Sequence, residues 1–448
     1  MPLSRYADRT LQSWMNRADR KPLIVRGARQ TGKSTAVRRL GESAPLFLEL
    51  NFERHQDLAL VQSCNSAEEL LQRLQQHHNL VALPPGTLLF LDEIQEHPEA
   101  LSWLRFFYED FPEIAVVAAG SLLEVRLRDT PLPFPVGRVE FLRLEPLTFL
   151  DFLSATNDNK LAADLRSEFE NPHGISAGLH HLAMERLRTF LVVGGMPEAV
   201  AKWEATRNSV EVARVHEALQ QAYLEDLLKY GVRSGTKALQ SVLAAAPAFY
   251  GSRYKQRHLV PGQKDRAITE AVDLLERAMV LHRARPTIHH RLPLLTREKA
   301  AHKLLPLDMG LALMQLGIRP EHLAQTAVES LLDGRIAEAF VGVQLLAGHA
   351  QRGRDLFFWT RESTSRSAAE VNFLLPSTHG VLPVEVKAGK AGTLKSLHQF
   401  LVASGGDVGI RLASTTGGVE ELNVGLPNGE NLKYTLRTHP LYLAELLV

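Results

Sequence analysis

Residues Gly27-Ala28-Arg29-Gln30-Thr31-Gly32-Lys33-Ser34 carry the spacing G-x4-G-K-[ST]. Each fixed position has a chemical reason. Glycine lets successive backbone N–H groups curl around a phosphate where a side chain would collide. The lysine bridges β- and γ-phosphate oxygens, and the hydroxyl after it ligates Mg²⁺. A helix opening at Ser34 aims its positive dipole end at the same anion. Gly27 to Ser34, with Thr35, are therefore the candidate nucleotide-binding residues, and ATP and Mg²⁺ the candidate cofactors.

A second cluster supplies the matching chemistry. Leu88-Leu-Phe-Leu-Asp92-Glu93 is an apolar run that ends in two acids. Asp92 is placed to hold the Mg²⁺ water shell with Ser34, and Glu93 to polarise an attacking water. The Asp-Glu pair favours ATP hydrolysis over GTPase or kinase chemistry. Ser121 closes the next apolar run, in AAGS, and is a candidate γ-phosphate sensor; the alternative is a small residue at a strand end. Arg138 is a candidate arginine finger acting on a neighbouring subunit, which implies a homo-oligomer. Its alternative is a surface arginine in a local salt bridge, and Arg126 and Arg128 are lesser rivals.

A third cluster is a near miss. EVNFLLP and LPVEVK read as a strand hairpin whose second strand ends in Glu385-x-Lys387, half of a metal-dependent phosphodiesterase signature. Side chains alternate along a strand, so Glu385 and Lys387 share a face. The other half needs an aspartate on the first strand, where this chain has Asn372. An amide oxygen offers a dipole where a carboxylate offers a full charge, so metal binding and cleavage should fall about 100-fold or more. Glu370 lies on the same face as Asn372 and is a substitute ligand one pleat away.

The elements that must position these groups alternate. Residues 1–20 read as a helix with apolar Leu11, Trp14 and Met15, followed by strand and helix in turn to about residue 155. Such alternation predicts a parallel sheet under helices. Residues 156–330 read as mostly helical, with a basic and aromatic stretch, FYGSRYKQRHLVPGQKDR, that weakly resembles the turn region of a winged-helix module. Residues 331–448 return to α/β alternation, and GRIAEAF supplies a helix carrying Glu338.

Composition sets bounds. The chain has 448 residues, 45% hydrophobic and 23% charged, which excludes global disorder and predicts two or three domains. A net charge of +1 excludes a polycation, so nucleic-acid binding must come from local patches, such as the basic residues crowded between Arg5 and Arg39. A single cysteine, Cys64, excludes a disulfide framework or multi-cysteine zinc site within the chain and suits a reducing cytoplasm. No apolar leader or membrane span is expected.

The order of short motifs then points to a family. The opening RY, GARQTGKS, LLFLDEIQ, the GS strand end, GRVEFLRLEPLTFLDF, GGMPEAV, AYLEDLLKY, KLLPLDMGL, GRIAEAF and PVEVKAG resemble bacterial and archaeal AAA-type ATPases. Those carry a C-terminal domain of unknown function with a PD-(D/E)XK nuclease-like fold. The resemblance implies an AAA-type P-loop core at 1–155, a helical lid with a winged-helix-like segment at 156–330 and a nuclease-like domain at 331–448. It places Glu338, Asn372, Glu385 and Lys387 in a degenerate nuclease site and Gly194-Gly195-Met196-Pro197 in a lid near the nucleotide. Lys387, Lys390 and Lys395 become candidate phosphate contacts. The expectation is an Mg²⁺-dependent ATPase that couples its cycle to conformational change on DNA. Two alternatives stand: a nucleotide-gated signalling or defence switch with a protein partner, and an ATP-regulated metal-dependent nuclease.

Overall fold

The computed structural model describes residues 5–448 except 122, 124–134, 136, 231–235, 319–331, 333, 350–354, 362–368, 379, 388–392 and 427–428. Arg126, Arg128 and Lys390 thus lie outside the described residues. The chain divides into two compact units. The first comprises Met1–Glu145 with Arg277–Met279 and Ala350–Gly353, and the second comprises Pro146–Glu276, Val280–His349 and Arg354–Val448.

In the first unit, five strands pair in parallel in the order β2-β3-β4-β1-β5: β1 is Leu23–Arg26, β2 Phe47–Asn51, β3 Leu88–Asp92, β4 Ala115–Ala119 and β5 Glu140–Arg143. β3 and β4 are buried at every residue, as strands covered on both faces must be. Alternate residues serve two cores. Leu89, Leu91, Val116 and Ala118 pack with Leu70, Leu74, Leu104 and Phe107 on one face. Phe90, Val117 and Ala119 pack with Leu11, Trp14, Val37 and Leu40 on the other. Phe90 is fully buried, so truncation to alanine should cost about 3–5 kcal/mol. The first helix spans Tyr6–Met15, shorter than the expected 1–20. The helix Ala67–His77 starts as its sequence signals, with the Ser66 hydroxyl accepting the Glu69 N–H at 3.1 Å.

The strand order has a consequence for function. β4 lies between β1 and β3, so the loops after all three open along one carboxyl edge of the sheet. That edge is where ligands of open α/β sheets sit.

In the second unit, the helix Thr236–Ala245, β6 Arg253–Tyr254, the helices Gln256–Leu259 and Asp265–Arg277, and a hairpin of β7 Leu281–Thr287 and β8 His302–Pro306 follow one another, with β6 antiparallel to β8. That is the element order of a winged-helix module. β7 also pairs in parallel with β9 Phe357–Thr360. The sheet then continues through β10 Glu370–Ser377, β11 Gly380–Lys387, β12 Val408–Ala413, β14 Asn431–Pro440 and β13 Gly418–Gly425. The segments read from sequence as 156–330 and 331–448 therefore share one nine-stranded sheet. The helix Phe149–Ala155, read with the first segment, packs in the second unit. There Phe149 meets Phe190 and Tyr442 edge-on or tilted, with centroids 5.8 and 5.6 Å away.

Two of the short motifs meet inside this unit. Asp308 caps the helix Met309–Gln315 by accepting the Leu311 N–H at 2.9 Å, and it accepts the Gly195 N–H at 2.5 Å. Gly194 has φ 70°, and a Cβ there would meet an Asp308 oxygen at 2.1 Å. Gly194 is thus required by the close approach of a buried carboxylate, and Gly195 by the Leu147 carbonyl, which a Cβ would meet at 2.0 Å. No helix among the described residues is long and apolar enough to cross a membrane.

Candidate nucleotide site

The loop between β1 and the helix Lys33–Gly41 is held by backbone conformation. Gln30 and Gly32 adopt positive φ, 62° and 83°. A Cβ on Gly27 would meet the Leu144 carbonyl oxygen at 2.4 Å, so β5 enforces this glycine by close approach. Ala28 is buried. The buried Thr31 hydroxyl donates to the Ala28 carbonyl at 3.0 Å, which stiffens the turn. Arg29 is half-buried, whereas Gln30 and Thr35 are exposed. Arg5, from the chain's start, donates to the Thr31 carbonyl at 2.9 Å, and Asp8 of the same segment pairs with Arg39. The first helix is thereby fastened to the loop and to the helix behind it.

Lys33 is buried, and its ammonium donates to the carbonyls of Gly27 at 3.1 Å and Ala28 at 2.9 Å. Burial pushes its pKa down to about 8, although Glu93 and Asp92 pull the other way. A desolvated ammonium that hydrogen-bonds to carbonyls, and whose nearby acids do not offset its burial, is a receptor for an anion.

Asp92 ends β3 with 2% exposure, and burial raises its carboxyl above the usual range. The Ser34 hydroxyl hydrogen-bonds to it, and Asn51 Nδ2, at the end of β2, donates to it at 3.3 Å. Ser34 and Asp92 thus bring hard oxygen donors together at the helix N-terminus, a set that suits Mg²⁺.

Glu93 is a non-glycine residue at φ 53°, ψ 43°, a left-handed conformation costing about 1–2 kcal/mol. The bend aims its carboxylate at the end of β4. Oε2 accepts the Ser121 N–H at 3.3 Å, the Ser121 hydroxyl at 3.2 Å and the Gln95 amide at 2.5 Å. Gln95 lies so close over Gly120 that a Cβ there would meet its Oε1 at 2.1 Å. Lys33, Ser34, Asp92, Glu93 and Ser121 therefore lie together at the carboxyl edge of the sheet. Arg138 instead makes a 2.7 Å ion pair with Glu109 at the surface.

Asn51, Gln95 and Arg5 were not singled out by sequence. Gln95 follows the acids directly in LDEIQ and was legible by adjacency. Asn51, the polar end of FLELN, was legible by analogy with Asp92.

The C-terminal cluster also assembles. Asn372 Nδ2 donates to Glu338 at 2.6 Å, the Val386 N–H donates to Asn372 Oδ1 at 2.9 Å, and Lys387 pairs with Glu385 at 2.7 Å. An unforeseen residue, Lys303 of β8, pairs with Glu338 and with Glu370. Lys395 opens the helix Lys395–Ser404.

Comparison with known proteins gives three family-model matches. An AAA domain matches residues 19–153, a domain of unknown function (DUF8612) residues 184–322, and another (DUF4143) residues 333–417. No curated protein matches the chain. Among solved structures, the Walker-type ATPase of Pyrococcus abyssi is similar at 14% identity and a TM-score of 0.43, over 70% of this chain and 98% of that one. The ORC2 protein of Aeropyrum pernix, in ADPNP-ADP complexes, is similar at 14% identity and a TM-score of 0.27, over 72% and 96% of the two chains. A STAND protein with a tetratricopeptide repeat sensor from Pyrococcus horikoshii is similar at 10% identity and a TM-score of 0.28, over 77% and 46%. Likenesses this loose say nothing of what this chain binds. The AAA-domain match, over the parallel sheet that bears the loop, supports an AAA-type ATPase in general.

Proposed function

We propose that this chain is an Mg²⁺-dependent ATPase whose nucleotide cycle drives conformational change in its second unit, with DNA as the target. The observation that carries the ATPase reading is the meeting of Lys33, Ser34, Asp92, Glu93 and Ser121 along the carboxyl edge of one parallel sheet. Lys33 exchanges its two carbonyl partners for phosphate oxygens when nucleotide enters the loop. Glu93 accepts a proton from the attacking water, after yielding at least one of its bonds to Ser121 and Gln95. Asn51 and Ser34 hold Asp92 in place. Ser34 and Asp92 would hold Mg²⁺, which would supply charge neutralisation on the phosphates. Arg138, once released from Glu109, is the candidate to reach a neighbouring subunit.

Support for DNA comes from the basic N-terminal segment, the winged-helix element order and the nuclease-like motif order near the C-terminus. The test is the ATP turnover rate with and without single-stranded, double-stranded and branched DNA, with Lys33→Ala as the control. DNA should raise turnover in a salt-dependent way. A rate indifferent to every DNA form would overturn the DNA reading and leave the ATPase standing.

One observation favours a second reading, a nucleotide-gated switch with a protein partner. The helix Asp265–Arg277, third in the winged-helix order, opens on the exposed Asp265 and carries Glu270, while its Asp273 and Glu276 are engaged by Arg283. Its Arg266 is paired with Glu270. Acids on that helix repel phosphates, whereas a basic protein surface would fit them. That reading expects tightly retained ADP in the purified protein, which nucleotide extraction and chromatography would detect.

A further inference from the structure

Lys303 is the charged residue that this fold buries most completely. It lies in β8, every residue of which is buried, and is itself 1% exposed. Its ammonium pairs with Glu338 and, at 2.6 Å, with Glu370. It donates to the Asn372 carbonyl at 3.3 Å. The rings of Phe358 and Phe373 stand 4.7 and 5.5 Å away, distances at which an aromatic face attracts a cation. Two carboxylates, a carbonyl and two ring faces make a cage for one cation, and Lys303 fills it.

The residues around that cage do not fit a divalent ion as they stand. Asn372 has its amide N–H on Glu338 and its amide oxygen on the Val386 N–H. Glu385 is 5% exposed and gives Oε1 to Lys387, while Oε2 is buried with no hydrogen-bond partner. Among the described residues, no group of three or more His, Cys, Asp and Glu is arranged to hold a metal ion. Glu338, Glu370 and Glu385 already face Lys303, Lys387 and Arg253, the last at 3.0 Å from Glu370. A divalent ion added beside Lys303 would be a fourth cation competing for the same carboxylates.

We propose that the Lys303 ammonium permanently occupies the cation position of this carboxylate cluster, so that the site takes no divalent metal and instead fastens the β7–β8 hairpin to the helix Gly334–His349 and to β10. The proposal rests on the nuclease-like reading only for the idea that a divalent ion is what the ammonium replaces. Restoring a carboxylate at 372 is then insufficient, because the cage remains filled. Removing the ammonium and restoring the carboxylate at 372 together puts a fourth carboxylate beside Glu338, Glu370 and Glu385, a donor set that suits Mn²⁺ or Mg²⁺.

The experiment titrates Mn²⁺ into the full chain, in an Asp92→Asn background that silences the nucleotide site, and counts bound ion by electron paramagnetic resonance. The parent and Asn372→Asp should show no tight site. Lys303→Met combined with Asn372→Asp should gain one site, about 100-fold tighter than any residual binding by the parent, and lose it on Glu338→Gln. Should that double variant fail to fold, adding Glu370→Gln removes a carboxylate together with the ammonium and carries the same expectation. A parent that binds one Mn²⁺ lost on Glu338→Gln would overturn the proposal and leave the nuclease-like reading intact. A folded variant without Lys303 that still ignores Mn²⁺ would overturn both.

Discussion

The two units each bury a lysine, and the two lysines are opposites. Lys33 has carbonyl oxygens for company, and its pKa is driven down to about 8 by burial. Burial alone would lower Lys303 as well. Glu338 and Glu370 more than offset it, and its pKa lies above the ordinary lysine value. A buried ammonium whose neighbouring acids, Glu93 and Asp92, do not offset its burial is unstable until an anion arrives, which is how a binding site stores affinity. A buried ammonium with two carboxylates has nothing left to accept, which makes it a fastener. Burial of a lysine therefore does not mark function; the unsatisfied charge does.

The comparison breaks most visibly through substitution. Lys33→Ala should lower ATP turnover by at least about 100-fold, while the nucleotide-free protein melts no lower than wild type at pH 7. The sign follows from linkage. A lysine whose folded pKa is depressed imposes a cost fully present below pH 8 and gone above the ordinary lysine value, so removing it relieves strain. A thermal melt clearly below wild type would show that Lys33 is structural after all.

Lys303→Met should do the reverse. It strands Glu338 in the interior, while Glu370 keeps its 3.0 Å pair with Arg253, so denaturant unfolding should show a loss of about 3 kcal/mol. A loss under about 1 kcal/mol would mean that the cluster is solvated and the fastener idea is wrong.

A gentler probe is pH. On the proposed reading, the ammonium form of Lys33 is the one that would bind polyphosphate. Nucleotide affinity should hold below pH 8 and fall above it by up to about tenfold per pH unit. Calorimetry in buffers of different ionisation enthalpy should find proton uptake on binding near pH 8. An affinity flat from pH 7 to 9 would contradict the depressed lysine. The smallest expected effect is Arg138→Ala. The Arg138–Glu109 pair is exposed, so the melting temperature should not move measurably. Turnover should drop only at concentrations where subunits associate; a drop at every concentration would rule out action in trans.

The nucleotide site was legible because its chemistry is local in sequence. A loop of eight residues, an acid pair after an apolar strand and a serine after the next strand need only a parallel sheet to meet. The fully apolar β3 and β4 announced that sheet. Asn372 was legible as a departure because its neighbours, Glu385 and Lys387, keep the expected spacing. Lys303 was not legible. It comes from a hairpin strand 35 residues before Glu338 and 69 before Asn372, and its one local sign is a lysine inside the buried run His302–Pro306. Nothing in a single sequence says which carboxylates will close around it. The winged-helix element order was visible only faintly, because β6 is two residues long and carries no periodicity.

The pairing of β7 with β9 bears on how the chain can be cut. Sequence invites a division near residue 330, between two separately matched segments. Such a cut would strip Phe357–Trp359 from Arg285–Thr287 and leave a bare row of strand N–H and C=O groups on the shorter piece. Open edges of that kind recruit other chains. Fragments ending there should precipitate or self-associate, whereas a division at 145 severs no strand pair among the described residues.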